Sequence, residues 1–301
     1  MVSPASVEDA EGAAALLRAA YDDRVSTVAG LRYRMEAARP DDRRADWKAE
    51  SDGELVGWAF AGLDVFAAAR DRAFAGIVVH PDHRRAGIGS ALWEAVSAHL
   101  REIGARRIVT YSRGDDAAKR FVATRGFTLV TTDTTSAVDP RELPEPPAPP
   151  QGVALHPLSA FSHDPEPLYL SDRESALDEP GPTDISGITM ESWRRLIWDH
   201  PECDRELGVA AVADGVVVAT TFLFADHETG RAMNGGTGVI PAYRGRGLGL
   251  LVKQHSLARA AAAGITLVIT LNDETNAPML AINRKLGYRP LSTGHRWVLE
   301  H

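Results

Sequence analysis

The chain has 301 residues, 44% apolar and 25% charged, and carries a formal net charge of −8. Such a length and composition suit a soluble globular protein of two domains, and the acidic balance argues against nucleic acid as the main partner. A single cysteine, Cys203, excludes an internal disulfide and any multi-cysteine zinc site, so no metal is expected. Residues 1–9 show neither a basic leader nor an apolar run, and the longest apolar stretch, 207–224, is interrupted by Asp214-Gly215. That stretch reads as two strands and a tight turn, not a membrane span, and a cytoplasmic location is expected with no membrane partner. Leu299, Glu300 and His301 read as a tag remnant and are given no structural role.

In chain order, residues 7–21 form an alanine-rich helix, with Ser6 and Asp9 placed to serve its free N–H groups. Residues 47–50 and 55–59 pair as a hairpin through Ser51-Asp52-Gly53. A strand over 73–79 leads into a glycine-bearing turn. Ile88, Ala91, Leu92, Ala95, Val96 and Ile103 then share one helical face, stopped by Gly104. A strand (107–111), a helix (116–124) and a last strand (127–132) follow. Residues 140–150 contain six prolines and form a stiff extended linker. The expected domains are therefore 1–139 and 153–301, with 140–152 between them.

The second half repeats the plan. A helix is expected over 192–199, and a hairpin over 207–224 turns at Ala213-Asp214-Gly215. A strand (232–239), a helix (248–263) stopped by Gly264, a strand (266–271) and a helix (277–286) closing on Gly287-Tyr288 follow. Arg244, Gly249 and Gly264 each lie 160 residues after Arg84, Gly89 and Gly104, and Gly287 lies 161 after Gly126. This regularity marks a tandem duplication. Both copies of the turn read Arg-x-x-Gly-x-Gly between a strand and a helix. Successive backbone N–H groups in such a turn face one concavity, backed by the positive end of the helix dipole, which makes an anion site.

These motifs resemble the GNAT N-acetyltransferases. The resemblance rests on the strand, the Arg-x-x-Gly-x-Gly turn, the helix, the strand, and a closing helix ending in Gly-aromatic. In the second half it also rests on Thr270-Leu271-Asn272 and on Asn276 through Tyr288. It implies an α/β fold of two tandem domains, each a central mixed sheet flanked by helices with two strands splayed into a wedge. It implies acetyl-CoA as co-substrate, held by Arg244, Gly245, Arg246, Gly247, Leu248 and Gly249 at the phosphates. The Val239 backbone, Asn272 and Asn276 would lie along the pantetheine arm. A second possible cofactor site comprises Val79, Arg84, Arg85, Gly87, Ile88, Gly89 and Ser90. The implied reaction is direct attack of a primary amine of a small molecule on the thioester in a ternary complex. A mycothiol-synthase-like acetyltransferase and a non-catalytic acyl-CoA-binding regulator are the alternatives.

The sequence departs from the family where a tyrosine acid usually stands. Four residues before the Gly-aromatic pairs are Asn283 and Val122, and neither strand before the turn carries a carboxylate. No acid or base is assigned; Asn283 and His200 are the catalytic candidates. Eleven residues before those pairs stand Asn276 and Asp115, and an anion at the latter position is unfavourable beside a polyanionic cofactor. The C-terminal domain is therefore expected to catalyse, and the N-terminal one to be accessory or a second binder. Residues 164–206 carry twelve carboxylates against four arginines, a wall suited to a cationic acceptor such as an aminoglycoside-like, polyamine or peptidyl amine. A monomer with an internal pseudo-dimer, or a homodimer, is compatible with this plan.

Overall fold

The computed structural model describes residues 1–177 and 185–300, and the chain forms two compact units. Unit 1 is Met1–Thr132 with the segment beginning at Gly294; unit 2 is Asp133–Thr293. Among the described residues no helix is long and apolar enough to cross a membrane.

Unit 1 contains β1 (Val2–Pro4), α1 (Ala10–Ala20), α2 (Val28–Glu36), β2 (Ala45–Ser51), β3 (Glu54–Leu63) and β4 (Arg72–Val79). It continues with α3 (Ile88–Glu102), β5 (Arg107–Arg113), α4 (Asp116–Ala123) and the start of β6 (Thr128–Val138). The β2–β3 hairpin turns through Asp52 and Gly53, both left-handed at φ 51° and 83°, the conformation that matches the twist of paired strands. Leu92, Val96 and Leu100 recur along α3 and are buried against Ala59, Ala73 and Ile108 of the sheet.

Unit 2 contains β7 (Val153–Pro157), α5 (Glu166–Ala176) and α6 (Met190–Trp193), which runs on as a π-turn over Arg194–Trp198. Then come β8 (Val209–Ala213), β9 (Val216–Asp226), β10 (Arg231–Val239), α7 (Leu248–Ala262), β11 (Leu267–Asp273), α8 (Ala277–Lys285) and the start of β12 (Arg289–Glu300). Asp214 and Gly215 repeat the left-handed hairpin turn of unit 1 at φ 51° and 76°. The Pro-rich segment begins with a 3-10 turn at Pro140–Glu142, and its Leu143 packs against Leu257, Leu286 and Tyr288.

Each sheet has the same plan. In unit 1 the order is β1-β2-β3-β4-β5, and Gly294–Glu300 of β12 lies antiparallel to β5. In unit 2 the order is β7-β8-β9-β10-β11, and Asp133–Val138 of β6 lies antiparallel to β11. The sequence-based limits 1–139 and 153–301 follow the chain, whereas the compact units exchange short strand segments across those limits.

Two expectations are corrected. The strand expected to end at 132 runs on to Val138. Its Thr- and Ser-rich extension lacks apolar alternation, but β-branched threonines still favour extended backbone. The C-terminal residues have a structural role: Leu299 is 9% exposed within the unit 1 core beside Ile108 and Phe127, and Glu300 pairs with Arg107. His301 lies outside the described residues. The alternation of Trp297 and Leu299 was the missed signal, because in-facing positions on a strand recur every second residue. Leu299→Ala is expected to lower stability by about 2–4 kcal/mol in urea unfolding, whereas an unchanged midpoint would show that the terminal strand contributes nothing to the core.

Candidate functional site

In both units the parallel pair at the centre of the sheet is short. β4 and β5 pair through Phe74 with Val109, and β10 and β11 through Met233 with Ile269, after which the strands part. β10 also carries a bulge between Asn234 and Gly236. The first open positions are thus Ala75 and Thr110 in unit 1, and Asn234 and Thr270 in unit 2.

The Arg-x-x-Gly-x-Gly turns stand at the open ends of these strands. Gly247 and Gly87 are the N-caps of α7 and α3 at φ 77° and 84°, and nothing lies within 4 Å of the place a Cβ would take. Gly245 is also left-handed, at φ 75°; its counterpart Arg85 adopts the same conformation at φ 66° although it has a side chain. Left-handed residues on either side of Arg246, followed by a helix start whose first N–H groups lack intrahelical acceptors, form an anion cradle. The third glycine has a packing role. A Cβ on Gly249 would lie 3.4 Å from both Val239 and Ile282, and one on Gly89 would lie 3.2 Å from Phe121.

The two arginines anchor the turn to the strand. Arg244 Nε donates to the Val239 carbonyl at 3.0 Å, and Arg84 Nε to the Val79 carbonyl at 3.4 Å. Arg246 stacks over Tyr243, and Leu248 is buried at the first turn of α7. Asn276 caps α8, accepting from the Met279 N–H at 3.2 Å.

Unit 1 encloses a cavity of about 500 Å³. Val79, Arg84, Arg85, Gly87, Ile88, Gly89 and Ser90, all expected from the sequence, line it. So do Asp115, which caps α4 through the Ala118 N–H, and Arg125. The Arg125 guanidinium lies 3.5 Å over the Phe121 ring and donates to Ser90 Oγ at 3.0 Å. Burial lowers its pKa, and its Nε is buried without a partner among the described residues. A half-desolvated cation beside a helix start favours an anionic ligand.

Unit 2 places polar side chains at the positions that match Trp93 and Val122 of unit 1. Lys253 of α7, 1% exposed, donates from Nζ to Asn283 Oδ1 at 2.7 Å, and Asn283 Nδ2 donates to Asn272 Oδ1 at 2.6 Å. Asn234 accepts from Thr237 Oγ1 at 3.0 Å and donates to Thr221 Oγ1 at 2.8 Å. Lys253 Nζ also lies 5.0 Å from the centre of the Tyr288 ring, and the Tyr288 hydroxyl is buried with no partner among the described residues. Burial drives the Lys253 pKa down to about 7. Sequence reading placed Asn272 and Asn283 near the site but missed Lys253, Asn234 and Thr237. A lysine at the α7 position that matches the core-facing Trp93 of α3 was the available signal.

Other sequence candidates serve the packing of unit 2. His200 is buried, its Nδ1 accepts from the Glu202 N–H at 3.3 Å, and its ring meets Phe224 edge-on at 5.6 Å. Cys203 is buried, and desolvation pushes its thiol up to about 12. At least four of the twelve carboxylates of the acidic wall are engaged. Asp172 accepts from Trp193 Nε1, Asp199 pairs with Arg194 and Arg205, Asp204 with His227, and Glu206 with Arg259. Asp178, Glu179 and Asp184 lie outside the described residues. The wall thus attracts cations less than its composition suggests.

Comparison with known proteins places this geometry. The sequence profile of the acetyltransferase (GNAT) family matches residues 13–127 and again 173–288. A mycothiol acetyltransferase of Saccharomonospora viridis is 30% identical over 270 residues, covering 80% of this chain and 78% of that protein. One from Catenulispora acidiphila is 27% identical over 252 residues, covering 78% and 74%. Among solved structures, a tandem GNAT protein from the clavulanic acid biosynthesis pathway superposes with a TM-score of 0.73 at 21% identity, covering 100% of this chain and 98% of that one. A GCN5-related N-acetyltransferase from Sphaerobacter thermophilus gives 0.72 at 21% identity, covering 100% and 95%. These structures share the fold.

The low pKa of Lys253 has a consequence for stability. An unfolded lysine titrates near 10.4, so between about pH 7 and 10 the unfolded chain binds one more proton than the folded one. Stability from this group therefore rises with pH across that window, by about 1.4 kcal/mol per unit, and is lowest below pH 7. Urea melts of wild type and Lys253→Met are expected to diverge in favour of wild type as pH rises from 7 to 10, whereas a constant difference would show that the amine stays charged in the fold.

Proposed function

Since the chain belongs to the acetyltransferase (GNAT) family, we propose that it transfers an acetyl group from acetyl-CoA to a primary amine of a small molecule, with unit 2 as the reacting site. The observation that supports this reading is the coincidence in unit 2 of the parted β10 and β11, the left-handed turn at Gly245 and Gly247, and the amides of Asn272, Asn276 and Asn283. The turn and the start of α7 offer backbone N–H groups and a dipole to phosphates. The open edge of β10 offers hydrogen bonds to an amide-bearing arm.

Acetyl-CoA supplies an activated acyl carbon as co-substrate. The neutral amine of the acceptor forms the new C–N bond, the C–S bond breaks, and the proton lost by the amine balances the protonation of the departing thiolate. The chain contributes by holding both reactants in register and by directing N–H donors at the developing oxyanion. A thiolate is a tolerable leaving group, which suits a site whose usual tyrosine position holds Asn283.

Unit 1 is proposed as a second acyl-CoA binder. Its turn, its cavity and Arg125 favour a polyanion. Its cavity also presents the exposed Asp115 where unit 2 has the neutral Asn276, and that negative charge works against a polyanion at this edge of the unit 1 site. For the acceptor, the matches to mycothiol acetyltransferases over about 80% of the chain favour a second, sharper reading, in which the amine is that of deacetylated mycothiol.

Thiol release from acetyl-CoA against a panel of amines, deacetylated mycothiol included, tests both readings. Acceptor-dependent release is expected; saturable acetyl-CoA binding without release would mark a binding protein instead. Gly247→Asp, which strains a left-handed position and adds an anion to the cradle, is expected to cut turnover at least about 100-fold. Gly87→Asp is expected to leave turnover largely intact, and the opposite pattern would assign the reaction to unit 1.

A further inference from the structure

We propose that Lys253 is a positioning residue of the unit 2 site: acting through the Asn283 amide, it holds Asn272 on the open stretch of β11, beyond the point where β10 and β11 part, and so sets where the donor thioester is presented. This rests on the reading of unit 2 as the reacting half. The argument begins with burial. A lysine at 1% exposure with no carboxylate against it among the described residues is an expensive group to retain, and its strongest contact is the 2.7 Å bond to Asn283 Oδ1. Its next, to Asn234 Oδ1, is 3.5 Å.

That bond fixes a direction. With Oδ1 of Asn283 facing the lysine, Nδ2 must face Asn272, whose Oδ1 it meets at 2.6 Å. Thr270 Oγ1 donates to the same Asn272 oxygen at 3.3 Å, so the Asn272 amide is held from two sides. Thr270 and Asn234 are the first residues beyond the last paired positions of β11 and β10. With Thr270 and Asn234 among its members, the network runs from the vertex of the splay along the open stretch of β11, beside an arm laid on the open strand edge. The Tyr288 hydroxyl, buried with no partner among the described residues, belongs to the same interior, its ring centre 5.0 Å from Lys253 Nζ.

Unit 1 shows that the fold does not need this network. At the matching positions it has Trp93 for Lys253, Val122 for Asn283 and Phe127 for Tyr288, and Trp93 packs edge-on against Phe127 at 5.6 Å. Apolar side chains occupy the same helix–sheet positions there. The polar filling is confined to the unit whose site is proposed to react. The near-neutral titration of Lys253 fits such a role, since the amine can hold the amide in place without forcing a permanent charge into the interior.

The test compares Lys253→Met, Lys253→Gln and Gly247→Asp in the thiol-release assay, alongside acetyl-CoA binding by calorimetry and side-chain amide resonances in ¹H–¹⁵N spectra. Lys253→Met is expected to lower kcat at least about 10-fold while the Kd for acetyl-CoA stays within about threefold. Lys253→Gln, which keeps a donor for Asn283, is expected to recover most of that loss. The amide resonances of Asn272 and Asn283 should shift in the Met variant and return toward wild type in the Gln variant. If Gly247→Asp abolishes turnover but Lys253→Met keeps kcat within about twofold of wild type, the role of Lys253 is overturned and the reading of unit 2 stands. An equal loss in both lysine variants, matched by weaker acetyl-CoA binding, would reduce Lys253 to packing. Turnover that survives Gly247→Asp overturns both.

Discussion

A β-strand that parts from its parallel neighbour leaves a row of backbone donors and acceptors that cannot be buried unmet. Everything distinctive in this protein follows from meeting that demand twice. In each unit the central parallel pair lasts three residue pairs and then opens, and a turn rich in left-handed residues carries the chain from the open strand into a helix. The open edge and the helix start converge, so groups left without partners by the fold become groups available to a ligand. An arginine side chain closes the corner by capping the last strand carbonyl, in unit 1 from Arg84 and in unit 2 from Arg244.

The scaffold is the same in both units, but what fills the wedge differs. Unit 1 closes its floor with Trp93, Val122 and Phe127, and keeps a cavity with Arg125 and Asp115 on its wall. Unit 2 places Lys253, Asn283, Asn272 and Asn234 in the equivalent space and bonds them to one another. Apolar filling gains stability without specifying a direction, whereas a satisfied polar network orients each amide. A duplicated fold can therefore present two different interiors on one plan, the difference resting on a few buried side chains and on the bulge of β10.

Much of the plan was legible in the chain. Gly87 and Gly247 stand at positive φ, where a side chain is strained, and so they could be read as turn residues. The Asp-Gly pairs at 52–53 and 214–215 mark hairpins for the same reason. The stripe of Leu92, Val96 and Leu100 announced the buried face of α3. Less visible was any element whose signal is not apolar periodicity. The Thr-rich end of β6 carries extended structure without alternation, and α5 buries only Leu168, Tyr169 and Ser171 while exposing Leu170 at 50%. Arg85 takes a left-handed conformation that no propensity would assign to it.

What the sequence determined by itself is local: which residues turn, which helices are amphipathic, where the left-handed glycines stand, and that the plan occurs twice. These follow from short-range sterics and from periodicity, which need no partner to be read. Tertiary structure alone decided three things. The strand at 294–300 closes the sheet of unit 1, because the partner of a strand is chosen by the open edge it meets, not by its neighbours in sequence. At least four of the twelve acidic residues of 164–206 are engaged by arginines, a tryptophan and a histidine, since net charge says nothing about pairing. Lys253 lies in the interior bonded to Asn283, a contact across 30 residues that only the packing of α7 on α8 creates.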